Sequence, residues 1–144
     1  MSNHLFHILL AEDNPGDARL TMEALKDGRF LCQVHLAKDG VEAMEFLRRQ
    51  GDRYKDVPRP DLILLDLNMP RKDGREVLHE LKNDPDLKSI PVIVLTTSDI
   101  EQDIEASYLQ GANSFITKPM DVQEFFDIVE QLGVYWSQVV TLPR

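Results

Sequence analysis

Apolar residues come in short runs along this chain, and each run is followed by a stretch with helical spacing. Phe6 to Leu10 precedes Asp17–Asp27, where Ala18, Met22 and Leu25 share a face; Leu31 to Ala37 precedes Val41–Arg49, where Val41, Met44 and Leu47 line up. Leu62 to Asp66 precedes a helix around Val77, Leu78 and Leu81 that stops at Asn83-Asp84-Pro85. Val92 to Leu95 precedes Asp99–Gln110, with Gly111 placed to end it, and Ser114 to Thr117 precedes a long final helix from Asp121 onward. Five strand-then-helix units predict a parallel sheet with helices on both faces.

The runs differ in kind. Leu62–Leu65 and Val92–Leu95 are unbroken, as central strands covered on both faces require. The second run alternates, with Cys32, Val34 and Leu36 apolar and Gln33 and His35 polar, while the fifth is short and ends on Thr117. Both read as edge strands. The flavodoxin-like doubly wound order 2-1-3-4-5 puts the second and fifth strands at the edges, so pattern and topology agree on an α/β (βα)5 fold. One domain over 1–144 is expected, with a core of about 5–132 and an extension over 133–144. Gln50–Pro60, polar and carrying Pro58 and Pro60, reads as a loop on the face away from the strand C-termini. Val122, Phe125, Phe126, Val129, Leu132, Trp136, Val139 and Val140 keep helical spacing almost to the end of the chain.

Composition narrows the function. Sixteen Lys and Arg against 25 Asp and Glu give a formal charge of −9, which disfavours phosphate backbones and anionic lipid as partners. Cys32 is the single cysteine, so neither an internal disulfide nor a multi-cysteine zinc site is open to the chain. No apolar run reaches the length of a membrane span and residues 1–7 lack the marks of a signal peptide, so a cytoplasmic address is expected. His4, His7, His35 and His79 show no ligand spacing and read as structural or solvent-facing, and Cys32 as a small core residue.

In an open parallel sheet, ligands bind beyond the carboxyl ends of the strands where the strand order reverses. The residues expected there are Glu12 and Asp13, then Asp66, then Thr96, then Lys118. Three carboxylates in one basin would raise one another's proton affinity unless a hard cation joined them. Mg2+ suits such a set, because it takes few protein carboxylates and shares phosphoryl oxygens. Asp66, fixed at the end of its strand, could act as a nucleophile toward phosphorus, with Lys118 and the Thr96 hydroxyl on the phosphoryl oxygens.

The set Ala11-Glu12-Asp13-Asn14, Leu64-Leu65-Asp66-Leu67-Asn68-Met69-Pro70, Leu95-Thr96-Thr97-Ser98, Gly111-Ala112 and Thr117-Lys118-Pro119 resembles the receiver domain of two-component response regulators. More narrowly, Arg59–Asn68, Lys72–Leu78 and the tail from Trp136 to Pro143 are similar to phytochrome-associated response regulators. The resemblance implies that Asp66 is the phosphoacceptor and that Asp13, Asp66 and the backbone carbonyl of Asn68 ligate Mg2+, with Glu12 acting through a metal-bound water. It implies that Lys118 pairs with the phosphoryl group, that Thr96 reorients toward it, and that Phe115 is the switch aromatic. A cis bond before Pro119 is implied as well, and Glu12 stands where many relatives have Asp. Asn68 and Ser98 flank the implied path of hydrolytic water.

The expected function is that of a stand-alone receiver. It takes a phosphoryl group from a sensor histidine kinase, by the narrower resemblance a phytochrome, and is a signalling protein rather than an enzyme. With no output domain after the receiver, the signal is expected to leave through protein contacts. Tyr135, Trp136, Val139, Val140 and Leu142 offer apolar area for a homodimer formed with the helix at 99–110, the fifth strand and the last helix. Three rivals are weaker: Asn68 stands where an aspartyl-phosphate phosphatase has its second acid, Glu12-Asp13 would repel a flavin phosphate, and the intact acid set argues against plain docking.

Overall fold

A computed structural model describes residues 5–26, 32–97 and 111–131. Its strands are β1 (Phe6–Ala11), β2 (Cys32–Ala37), β3 (Leu62–Asp66), β4 (Val92–Thr96) and β5 (Ser114–Thr117). Its helices are α1 (Pro15–Lys26), α2 (Gly40–Leu47), the single turn α3 (Gly51–Tyr54), α4 (Gly74–Lys82) and α5 (Val122–Gln131). All strand pairs are parallel and the order is β2-β1-β3-β4-β5, the flavodoxin-like arrangement.

Alternate residues of the central strands feed two cores. Leu9, Ala11, Ile63, Leu65, Val92 and Val94 pack with Ala43, Met44, Phe46, Leu47 and Tyr54 and with Val77, Leu78 and Leu81, so α2, α3 and α4 cover one face. Ile8, Leu10, Leu62, Leu64, Ile93, Leu95 and Ile116 pack with Ala18 and Leu25 of α1 and Phe125, Phe126 and Val129 of α5 on the other. Every residue of β3 and β4 is buried, whereas β2 is mostly half-exposed, which is the edge and centre distinction read from the sequence.

Local chemistry sets the helix starts. Pro15 opens α1 two residues ahead of the expected start, because the Asn14 side chain caps the helix by accepting the Asp17 N–H at 2.9 Å and Pro tolerates the first helical position. Asp39 and Asp73 cap α2 and α4 by accepting from the N–H groups of Glu42 and Glu76. The Gln50–Pro60 loop contains the turn α3, whose Tyr54 is buried against Phe46, so this segment also contributes to the core.

His7 and His35 sit on neighbouring strands with Nδ1 and Nε2 3.1 Å apart, and the His35 ring packs on Phe46, a structural pairing. Cys32 is half-buried against the α1–α5 core. Gly111 has φ +105, a left-handed conformation that glycine adopts without strain. The expected helix at 99–110, Ser98, and the tail from 132 to 144 lie outside the described residues.

Candidate functional site

Strand register assembles the site. Ala11 is level with Leu65, so Glu12, one residue beyond the strand, comes beside Asp66; Asp66 is level with Leu95, so Thr96 follows next door. Thr96 is level with Thr117, and Lys118 is the residue after it. The Lys118 N–H donates to the Thr96 carbonyl at 2.7 Å, extending the β4–β5 ladder by one rung, and the Lys118–Pro119 bond is cis. The carboxyl ends of β1, β3, β4 and β5 therefore deliver their side chains to one crevice.

Carboxylate oxygens of Glu12, Asp13 and Asp66 lie within 4.8 Å of one another. Glu12 and Asp66 are buried and Asp13 is exposed, so the cluster opens to solvent on the Asp13 side. Lys118 Nζ donates to Glu12 Oε1 at 3.1 Å and to Asp17 Oδ2 at 3.0 Å, and stands 3.6 Å from Asp66 Oδ2. The Asn68 N–H donates to Asp66 Oδ1 at 3.3 Å, and the Asn14 N–H donates to Glu12 Oε2 at 3.2 Å.

One ammonium does not neutralise this many acids. Burial, with the hydrogen bond and charge of Asp66 behind it, pushes the Glu12 carboxyl up to about 7, against the pull of Asn14 and Lys118. Burial lowers the proton affinity of Lys118, but Asp17, Asp66 and Glu12 together outweigh it and hold the ammonium charged above its ordinary range. The donors are hard carboxylate oxygens with neither sulfur nor imidazole among them, and they carry surplus negative charge. A divalent cation of the Mg2+ or Mn2+ kind fits such a set, while a softer metal does not.

Asp17 is the residue that sequence reasoning passed over, reading it only as the beginning of a helix. Its position in the first turn of α1, five residues after Glu12, was the available signal, but only the fold shows that it meets Lys118. Thr96 is buried at the end of β4. Phe115 is half-buried on β5, level with Val94 and packed against the α2–α4 core. Thr96 and Phe115 thus occupy diagonal positions on one face of neighbouring strands. Asn68 follows β3 in the segment that leads to α4, and it is exposed.

The family profile of the response regulator receiver domain matches residues 8–130. Response regulator Rcp1 of Synechocystis sp. is 49% identical over 94% of this chain and 92% of its own length. The structure of its Mn2+-bound form superimposes with a TM-score of 0.72, at 48% identity over 96% of this chain and 99% of that one. The bacteriophytochrome response regulator AtBRR superimposes with a TM-score of 0.86 at 42% identity, covering 92% of this chain and 96% of that one. The phosphorylated cyanobacterial phytochrome response regulator RcpA gives 0.74 at 48% identity, covering 98% and 100%.

Proposed function

The chain belongs to the response regulator receiver domain family, and on that premise we propose that Asp66 accepts a phosphoryl group from a sensor histidine kinase in a Mg2+-dependent reaction. The observation that carries this reading is the placement of Asp66. It is buried at the end of a central strand, within 4.8 Å of two further carboxylates and 3.6 Å from a lysine ammonium.

In the proposed transfer an Asp66 carboxylate oxygen bonds to phosphorus as the phosphorus–nitrogen bond of the kinase phosphohistidine breaks. The imidazole leaves with the electron pair and an acyl phosphate remains on Asp66. Asp13, Asp66 and the Asn68 carbonyl would hold Mg2+, with Glu12 acting through a water; the ion supplies charge neutralisation at the phosphoryl oxygens. Lys118 moves from Asp17 and Glu12 onto one phosphoryl oxygen, and the Thr96 hydroxyl donates to another. Drawing Thr96 inward empties space beside it on the same sheet face, where Phe115 turns in, and this changes the surface at β5.

The narrower relatives make a phytochrome the proposed kinase, since RcpA and AtBRR are named as phytochrome response regulators. Self-association through residues 99–110, β5, α5 and 133–144 is the proposed output. Sedimentation with and without residues 134–144 tests it, and monomer mass in both ends it. For the transfer itself, radiolabel from a panel of autophosphorylated histidine kinases is expected to pass to the wild type, most rapidly from a phytochrome kinase, and not to Asp66→Asn. Equal labelling of that variant would overturn the reading.

A further inference from the structure

The segment from Leu67 to Asp73 carries the Asn68 carbonyl, and it is pinned from outside the acid cluster. Arg71 Nε donates to Asp39 Oδ2 at 2.8 Å and Arg71 Nη2 donates to Asp39 Oδ1 at 3.1 Å. A two-point fork of this kind sets orientation as well as distance. Arg71 lies at φ 66, a left-handed conformation that costs a side chain its size, so the segment is held in a shape it would not favour alone.

Asp39 is itself anchored. It caps α2 by accepting the Glu42 N–H at 2.9 Å, and its side chain is 11% exposed. The next residue, Gly40, is buried so tightly on the Lys72 carbonyl that a Cβ there would overlap it. Within the segment, the Lys72 N–H donates to the Pro70 carbonyl at 2.7 Å and the Gly74 N–H to the Leu67 carbonyl at 2.8 Å, while Leu67 and Met69 are buried. Asn68 therefore sits between fixed points; two charged tethers hold the segment, the ion pair of Lys72 with Glu80 of α4 and the fork of Arg71 to Asp39 ahead of α2, and of these the fork makes two hydrogen bonds.

We infer that Arg71 and Asp39 are positioning residues for the divalent cation, their fork holding the 67–73 segment so that the Asn68 carbonyl is presented as a ligand. This rests on the reading of Glu12, Asp13 and Asp66 as a cation site. Neither Arg71 nor Asp39 touches the cation; they act through the backbone between them and Asn68.

Two substitutions separate positioning from charge. Arg71→Ala removes a cation from an acidic neighbourhood, so a through-space charge effect tightens Mg2+ binding. Asp39→Asn removes an anion, so the same effect loosens it. Positioning loosens both. Asn also caps helices as well as Asp does, so the second variant keeps α2 intact.

Calorimetric titration of the full chain with Mg2+ is the test. Each variant is expected to bind about three- to tenfold more weakly than the wild type. The double variant should be no weaker than the worse single one, because both break a single contact. Arg71→Lys falls between, since an ammonium reproduces one arm of the fork. Amide hydrogen exchange over 67–72 rises in each variant while that of β3 is unchanged, and the Mg2+ concentration for half-maximal phosphorylation rises with little loss of rate at saturation. Unchanged affinity, or shifts of opposite sign in the two single variants, overturns the inference. In that event wild-type binding that is lost in Asp13→Asn leaves the cation site itself standing, whereas no binding by the wild type removes both. Should Arg71→Ala fail to fold, Asp39→Asn and Arg71→Lys decide alone, and wild-type affinity in both overturns the inference.

Discussion

Asp17, in the first turn of α1, holds the ammonium of Lys118 at 3.0 Å, closer than the 3.6 Å that separates this ammonium from Asp66. Lys118 is thus shared between Asp17 and Glu12 and stands slightly farther from Asp66, the carboxylate it is proposed to serve. Asp17→Asn removes the outer of the ammonium's two carboxylate partners and leaves it to Glu12, which it already meets, and to Asp66, where it competes with a cation. Mg2+ affinity measured by calorimetry is expected to drop about three- to tenfold.

Lys118→Ala moves affinity the other way. Removing the ammonium leaves buried Glu12 and Asp66 without their cation, which costs about 3 kcal/mol of stability when no divalent ion is present. Mg2+ should then bind more tightly than to the wild type and restore the urea midpoint. Phosphorylation by acetyl phosphate is nevertheless expected to slow about a hundredfold, because the charge that met the phosphoryl oxygens is gone. A variant that loses Mg2+ binding together with rate would contradict this division of roles.

The Glu12 carboxyl gives a pH signature. It is pushed up to about 7 in the folded chain from an ordinary 4.5, so over that window the folded state binds more protons than the unfolded one. Its contribution to stability is therefore complete below the unfolded value, declines as pH rises through the window, and is lost above about 7. In chelator, the urea midpoint of the wild type should fall more from about pH 5 to about pH 8 than that of Glu12→Gln. Mg2+ should remove the difference, and its affinity should weaken about tenfold per pH unit below 7 in the wild type but not in Glu12→Gln.

Gly74 bears directly on the phosphoacceptor. A Cβ there would meet the Asp66 carbonyl oxygen and the Leu67 Cα, both backbone atoms that cannot swing aside. Gly74→Ala is expected to lose about 2 kcal/mol in urea denaturation and to slow phosphorylation of whatever remains folded. A variant of wild-type stability and rate would mean that β3 and α4 separate more readily than this packing indicates.

Much of this was legible in the chain. Leu62–Leu65 and Val92–Leu95 announce central strands because burial on both faces demands unbroken apolar runs, and β2 betrays its edge position by alternating. From strand order alone, Glu12, Asp13, Asp66, Thr96 and Lys118 could be placed at one end of the sheet. Four features were not legible. The turn α3 has one apolar anchor, Tyr54, too little to show a period. The early start of α1 depends on Asn14 capping a helix whose first residue is a proline. The bond from Asp17 to Lys118 spans 101 positions, and the fork from Arg71 to Asp39 spans 32. Neither leaves a local trace, because only the assembled sheet brings those residues together.

Asp66 is the group proposed to take the phosphoryl, and every other role at the site follows from that assignment. Intact-mass measurement after incubation with acetyl phosphate and Mg2+, followed by borohydride reduction and peptide mapping, addresses it directly. One phosphoryl group is expected on the wild type, mapped to Asp66, absent in chelator and absent from Asp66→Asn. A wild type that stays unmodified in Mg2+, or an Asp66→Asn chain that is modified as fully as the wild type, would contradict it.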